Sequence, residues 1–473
     1  LARLDAVIEP GQRTSRDGEE AGGISRRRVT GFLGAAGAAA IAGLSPSWSA
    51  AKPRRSPNLL VILADDLGWA DLSCYGAPTI RTPNLDRLAA SGARFTQGYA
   101  ASSVCSPTRF GLYTGRYPGR LAGGLPEPIP GPTEIDGIPL DHPTLASLLK
   151  REGYRTAMIG KWHCGYLPWF SPTRVGWDEF FGNFGGAVDY FSKIDGDGRY
   201  DLYEGEVEYQ DLRYYTEILT EKAALFIRQR TSDRWLLNLN FTTPHWPWEG
   251  PGDKAVSADL TARIKAGERR AIFHTDGGSI QTYQAMVEDL DRAIGKVVSA
   301  LGRSGQLEET VIFFASDNGG ERFSYNWPLS GKKGDVLEGG IRVPTLVSWP
   351  GRIRGHQVDH EPVVTMDWTA TFLELAGARP EPRYPLDGLS LVDHLLHGTP
   401  LPRRDLFWRM RDQRALRRGS LKYVRLKKGD DHLYDLAADV HEQADLARRR
   451  PEELAQLGAA WEAINGGLLP YRA

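Results

Sequence analysis

Four continuous apolar runs, each closing on a polar cluster, constrain this chain more than any other feature. "PNLLVILADD" stops at Asp65 and Asp66, "YRTAMIGKWH" runs into Lys161 and His163, "RWLLNLNFTTPHW" into His245, and "TVIFFASDNGG" into Asp317 and Asn318. A strand with one wet face alternates apolar and polar residues, whereas an unbroken apolar run fits a strand buried on both faces of a parallel sheet. Helix-like segments lie between the runs: "NLDRLAASG", "TLASLLKREG" and "YQAMVEDLDRAIGKVVSALGRSG", the last with near-helical apolar spacing and a glycine stop. The alternation predicts an open α/β sheet with helices on both faces and a ligand crevice at the carboxyl ends of the strands. One polar strand tip is ordinary, because Asp and Asn suit turns. Four of them point to a shared site.

Asp65, Asp66, Asp317 and Asn318 offer only oxygen donors, which suit Ca²⁺ or Mg²⁺; zinc would ask for more His or Cys. Three converging carboxylates would repel and raise one another's pKa, and a divalent cation is the natural way to keep them ionised. The competing reading is separate turn formation and N-capping by each pair.

The chain has three cysteines, Cys74, Cys105 and Cys164, too few and too scattered for a disulfide scaffold or a C-x-x-C centre. Cys105 stands out within "YAASSVCSPTRFGLYTG". Pro107 suits a first helical turn, and the i,i+4 spacing sets Arg109 on the same face as Cys105. A helix N-terminus with an arginine attracts an anion and lowers a thiol's pKa, so a thiolate nucleophile is one reading. A thiolate phosphatase, however, wants a longer anion-cradling loop than three intervening residues allow. A buried, inert cysteine is the other reading. The residues alone leave both open.

With 58 basic and 59 acidic residues the net charge is -1, which disfavours nucleic acid and anionic membranes as partners. The 473 residues suffice for one large domain and a smaller one. Residues 1–23 receive no structural assignment. Residues 24–51 have the layout of an export signal: Arg26, Arg27 and Arg28, a Gly/Ala-rich apolar run from Gly31 to Leu44, and small residues at Ser49 and Ala51. The arginines and weak hydrophobicity suit the twin-arginine route to a periplasmic or extracellular location. The run is shorter than the ~20 residues that span a bilayer, so no stable membrane insertion is expected.

"CSPTR" fits the C-x-P-x-R signature of the formylglycine-dependent sulfatases of the alkaline phosphatase superfamily. "ADDLGWADLSCYGAPTIRTPNLDRLAASGARFTQGYA", "PTLASLLKREGYRTAMIGKWHCG", "GWDEFFGNF", "TTPHWPW", "SDNGG", "GKKGDVLEGGIRVP" and "HLYDLAADVHEQADLA" also resemble sulfatase blocks, in the family's order. The resemblance implies an alkaline-phosphatase-like, mostly parallel sheet between helices over about 57–380, and a small antiparallel sheet with a helix over about 400–473. It implies Asp65, Asp66, Asp317 and Asn318 as metal ligands, usually for Ca²⁺ with Mg²⁺ possible, joined at the metal by Cys105 as the formylglycine precursor. Arg109 would steady the hydrated aldehyde, while Lys161, His163, His245 and Lys333 would surround the sulfate. Lys333 fits that place better than Lys332. The implied activity is hydrolysis of a sulfuric ester. Its expected partners are a sulfated carbohydrate or small molecule, a formylglycine-generating enzyme and the export machinery.

Aryl sulfates and phosphate or phosphonate esters are the alternative substrates, and a non-catalytic sulfated-glycan binder is a further alternative. Cys74 and Cys164 are expected to pack as small hydrophobes. Trp162, Trp169, Trp246 and Trp248 lie close in sequence to the implied site and are candidates for stacking on a sugar.

Overall fold

The strand formed by the first apolar run, Asn58–Ala64, is buried along its whole length, and its side chains divide between two cores. Leu60, Ile62 and Ala64 point to one face of the sheet, Leu59, Val61 and Leu63 to the other. Each fully buried aliphatic side chain of this kind contributes about 1.5–3 kcal/mol. This two-sided burial is why the run carries no polar alternation. The computed structural model describes residues 56–230, 232–427 and 429–472, all within one unit, Trp48–Ala473. The unassigned extension over 1–23 and the expected export signal over 24–51 lie outside the described residues.

Asn58–Ala64 is central in a ten-stranded sheet. It pairs in parallel with Thr310–Ser316 on one side and Trp235–Asn240 on the other, and Arg155–Gly160 pairs in parallel with Trp235–Asn240. The four predicted strands are therefore neighbours pointing the same way, which gathers their polar ends along one edge. Glu179–Gly182 extends the parallel set, while Thr345–Ser348 runs antiparallel to Thr310–Ser316.

Helices Pro83–Ala90, Tyr215–Gln229 and Ile280–Arg303 cover one face; Cys105–Thr114, Leu145–Arg151 and Thr365–Ala376 cover the other. The long helix is amphipathic, burying Tyr283, Met286, Val287, Leu290, Ile294, Val297 and Leu301, and the Ser279 hydroxyl caps it by accepting from the Thr282 N–H at 3.0 Å.

A four-stranded antiparallel sheet follows: Asp405–Met410, Gln413–Arg418, Leu421–Arg425 and Asp431–Asp435. One face packs on helix Pro451–Gly466 through Phe407, Leu416, Tyr423 and Leu433 against Leu457 and Trp461. The other, through Trp408, Met410, Ala415 and Val424, packs on Tyr99, Ala101 and Val104, the segment leading into the Cys105 helix. The docking also contains charge. Lys422, fully buried, donates to Glu338 at 2.9 Å and pairs with Glu442 at 2.8 Å. No helix among the described residues is long and apolar enough to cross a membrane.

Candidate active site

Cys105 is the first residue of helix Cys105–Thr114, every residue of which is buried. Thr108 fixes the helix start by accepting from the Ser102 N–H at 3.0 Å and donating to its carbonyl at 2.9 Å. At the far end Gly115, left-handed at φ 68°, closes the helix by donating to Gly111. The start of the helix points at the strand tips: the Cys105 sulfur lies 3.3 Å from Asp65 Oδ1 and 4.0 Å from Asp66 Oδ1.

The structure brings all ten predicted site residues together, and each carboxylate has a principal cationic partner: Lys161 for Asp65, Lys333 for Asp66 and Arg109 for Asp317. Arg109 donates from Nε at 3.0 Å and Nη2 at 2.8 Å to Asp317 Oδ2, and from Nη1 to the Lys161 carbonyl at 3.0 Å. Lys161 Nζ donates to Asp65, and Lys333 Nζ to Asp66 at 2.7 Å. Lys332 is exposed, so the neighbour in the site is Lys333. His245 Nε2 is 3.6 Å from Asp66 Oδ2. Asn318 Nδ2 donates to Asp66 Oδ1 at 2.8 Å.

The electrostatics follow from burial and these pairings. Burial alone would raise Asp66, but Lys333, His245 and Lys161 hold it down at about 2. Burial and Asp65 push Asp317 up to about 6 against the pull of Arg109. Burial opposes the charge on Lys333, yet Asp66 and its other acidic neighbours hold its pKa above the ordinary lysine value. The Cys105 thiol is pushed up by burial and Asp65. Both histidines are driven well below their usual value, by burial first, then by Lys161 for His163 and Lys333 for His245.

Hydrogen bonds define the histidine tautomers. His163 Nε2 faces the Ile129 carbonyl at 3.0 Å, so Nε2 carries the proton and the buried, unpartnered Nδ1 is a lone pair. His245 Nδ1 faces the Trp246 carbonyl at 2.7 Å, leaving the Nε2 lone pair toward Asp66. His163 and Asp66 are also left-handed non-glycine residues, at φ 51° and 64°. Such strain persists only where surrounding contacts impose it, and it gathers at functional sites.

The donor set fits a hard divalent cation. Asn318 Oδ1 is buried without a partner, an acceptor that only a donor or a cation can satisfy. Asp65, Asp66, Cys105 and His245 each place one ligand-capable atom within 4.8 Å of the others. The expected set was Asp65, Asp66, Cys105, Asp317 and Asn318, without His245. Asp317 stands beside the group, its Oδ2 taken by Arg109 and its Oδ1 accepting from the Asp66 N–H at 3.3 Å. With three carboxylates already offset by three bases, a divalent cation leaves the site with a net positive charge. That charge suits an anionic ester.

Sequence reasoning missed the supports. Tyr190 OH lies 3.0 Å from both the Thr242 and His245 carbonyls, pinning the His245 loop, and Asn240 Nδ2 donates to the Lys161 carbonyl at 3.1 Å. The asparagine in "WLLNLN" was a legible signal, since an amide inside a buried strand needs a partner. Tyr190 had none. Of the four tryptophans, Trp162 and Trp248 are buried, and Trp162 stacks on Tyr113 in the core. Trp246 is half-buried with its ring 4.1 Å from that of His245 and 5.7 Å from Lys333 Nζ. Cys74 is half-buried and Cys164 buried, and neither forms a disulfide.

A parallel sheet with carboxylates, buried bases and a helix N-terminus at its carboxyl edge defines an alkaline-phosphatase-like hydrolase fold. The chain belongs to the sulfatase family, whose model matches residues 57–378. Mouse arylsulfatase J is 35% identical over 361 residues, 74% of this chain and 57% of that protein, so the chain spans little more than half of this relative. Mouse N-acetylgalactosamine-6-sulfatase is 32% identical over 395 residues, covering 79% of this chain and 72% of that one. The crystal structure of Ps i-CgsB in complex with k-i-k-neocarrahexaose superposes with a TM-score of 0.76 at 29% identity, covering 86% of this chain and 92% of that one.

Proposed function

We propose that this protein releases inorganic sulfate from a carbohydrate sulfate, using formylglycine made from Cys105 and a divalent cation, Ca²⁺ before Mg²⁺, held by Asp65, Asp66, Asp317 and Asn318. One observation carries the reading: the orphaned Asn318 Oδ1 and three carboxylates converge where the Cys105 sulfur meets Asp65 and Asp66. The cation would supply Lewis-acid polarisation and neutralise charge that grows in the transition state. A hydrated aldehyde at position 105 would supply two hydroxyls, one to attack sulfur and one whose deprotonation expels sulfate. Maturation by a formylglycine-generating enzyme and export by the twin-arginine route belong to the same reading.

The chain's own residues divide the remaining work. Arg109, locked by Asp317 and the Lys161 carbonyl, keeps position 105 aimed at the strand tips. Lys161 and Lys333 bring ammonium groups to the sulfate oxygens. His163, with Nε2–H spent on Ile129, accepts a proton at Nδ1. Lys333, or His245 once protonated at Nε2, donates to the leaving oxygen.

Two measurements test the core of this. Mass spectrometry of the tryptic peptide from Phe95 to Arg109, made with the converting enzyme present, is expected to show the aldehyde; full turnover with an unaltered thiol would overturn the mechanism. Matched aryl sulfate, phosphate and phosphonate esters are expected to show preferred sulfate release. A preference for phosphorus would reassign the substrate class.

Two further outcomes are expected. Chelation lowers the melting temperature, and Ca²⁺ at a hundredfold over its Kd restores about 2.7 kcal/mol of stability; a melting curve indifferent to both would remove the cation. Trp246 lies beside His245 and Lys333, and Phe273, 39% exposed, packs against it at 4.6 Å. Trp246→Ala is expected to raise KM for a saccharide sulfate about tenfold, the loss of a stacking contact worth about 1 kcal/mol or slightly more. An unchanged KM would exclude stacking there.

A further inference from the structure

We propose that Asp189 and Glu249 share one proton, and that this carboxyl pair, which lies behind the reacting groups, positions the loop carrying His245. The catalytic consequence rests on the sulfatase reading; the shared proton does not. Both side chains are fully buried, and each keeps one oxygen without a partner, Asp189 Oδ2 and Glu249 Oε1. Two carboxylates are acceptors only and cannot satisfy one another. A single proton turns the two orphaned acceptors into a donor and an acceptor. The groups lie within hydrogen-bonding reach, and burial, the Asp189 charge and that bond push Glu249 well above the ordinary carboxyl range.

Glu249 is the member that carries the proton. Asp189 Oδ1 collects three donors, the Phe191 N–H at 2.9 Å, the Ser192 N–H at 2.7 Å and the Ser257 hydroxyl at 2.6 Å, whereas Glu249 Oε2 receives the Tyr190 N–H at 3.1 Å. A metal ion in place of the proton would need further oxygens, and the neighbouring ones are taken. Lys193 Nζ donates to the carbonyls of Tyr190 at 3.0 Å, Phe191 at 2.8 Å and Arg213 at 2.7 Å. Its ammonium group offsets the one negative charge that a singly protonated pair retains. The other ionisable groups facing Glu249 are Asp253, Tyr190 and Tyr214, and Asp211 and Arg213 stand behind Lys193.

The pair joins three segments around His245. Residues 242–249 form the loop, and Tyr190 holds it at both ends: its N–H donates to Glu249, and its hydroxyl lies 3.0 Å from the Thr242 and His245 carbonyls. The Tyr214 hydroxyl donates to the Glu249 carbonyl at 2.8 Å, with its ring stacked on Tyr190 at 5.3 Å. Ser257 brings in helix Lys254–Lys265, whose Leu260 and Ile264 belong to the cluster on which Trp246 packs. Without the proton, two buried carboxylates face each other and repel, and the repulsion acts on the loop that sets His245 Nε2 3.6 Å from Asp66.

Infrared difference spectroscopy of the full-length protein, parent minus Glu249→Gln, tests the proton directly. The expected result is a protonated-carboxyl carbonyl band in the parent that shifts on deuteration and is missing from the variant. A parent without that band would overturn the proposal whatever the protein turns over. Kinetics with phenyl sulfate, whose leaving oxygen needs a proton, test the positioning. Glu249→Gln, whose amide can donate to Asp189 and accept from Tyr190, is expected to keep kcat within about threefold of the parent, while Glu249→Ala loses about tenfold or more. In a His245→Ala background the alanine change should cost less than about threefold further, because a residue that acts through His245 then has nothing left to place. A full loss in that background, or a glutamine variant as impaired as the alanine one, would overturn the positioning role. A parent that releases no sulfate from phenyl sulfate would count against the sulfatase reading, and the infrared band alone would then decide the pair.

Discussion

Cys105→Ser is expected to cut sulfate release by on the order of 10⁴-fold or more while the melting temperature stays within a few degrees of the parent. The fold should tolerate the change because the helix start is held by the Thr108–Ser102 pair and by Arg109 on Asp317, none of which involves the sulfur. A serine hydroxyl can take over the contact with Asp65. It cannot supply the second hydroxyl from which sulfate is expelled, so turnover stops even if attack on sulfur occurs. An unmodified thiol is no better placed, since Arg109, which a thiolate phosphatase would aim at its substrate, is committed to Asp317 and the Lys161 carbonyl. Serine activity within tenfold of the parent would sink the two-hydroxyl mechanism.

Lys422→Met is expected to cost about 3–5 kcal/mol, because it removes the cation shared by two buried carboxylates, leaving Glu442 with no ion-pair partner among the described residues and Glu338 with Arg342 at 3.4 Å. Denaturant unfolding at constant pH is the measurement, and a loss below about 1 kcal/mol would show that the lysine does not dock the C-terminal sheet. The pH dependence has a definite sign. Burial and Glu338 push Glu442 up to about 7 from 4.5, despite Lys422. A carboxyl raised on folding contributes stability that is complete below pH 4.5 and is lost as pH rises through about 7. The parent should therefore weaken between these values, and Glu442→Gln should flatten that slope. The Lys422→Met deficit should shrink toward acid, where neutral carboxyls need no partner.

The same contrast separates what could be read along the chain from what could not. The sheet was legible because two-sided burial leaves an unbroken apolar run, as in Asn58–Ala64, and the site because four such runs end in groups too polar to be buried alone. Lys333 over Lys332 was a matter of motif alignment, and the choice becomes physical only where Asp66 receives the ammonium group. The left-handed backbone at Asp66 and His163 was not legible along the chain, since Asp and His tolerate that region without requiring it. Tyr190 looked like any core aromatic until its hydroxyl met the His245 loop.

Covalent order and side-chain chemistry alone determined which segments are strands, which residues carry charge or lone pairs, and the family signature at Cys105. Only the tertiary structure decided that Lys161, Lys333 and Arg109 are shared out among Asp65, Asp66 and Asp317, that Trp246 and not Trp162 lies beside His245 and Lys333, and that Gln413 of the C-terminal sheet reaches the Gly334 carbonyl. Those outcomes depend on distances between residues remote along the chain, and electrostatics, stacking and hydrogen bonding act through space over a few ångströms.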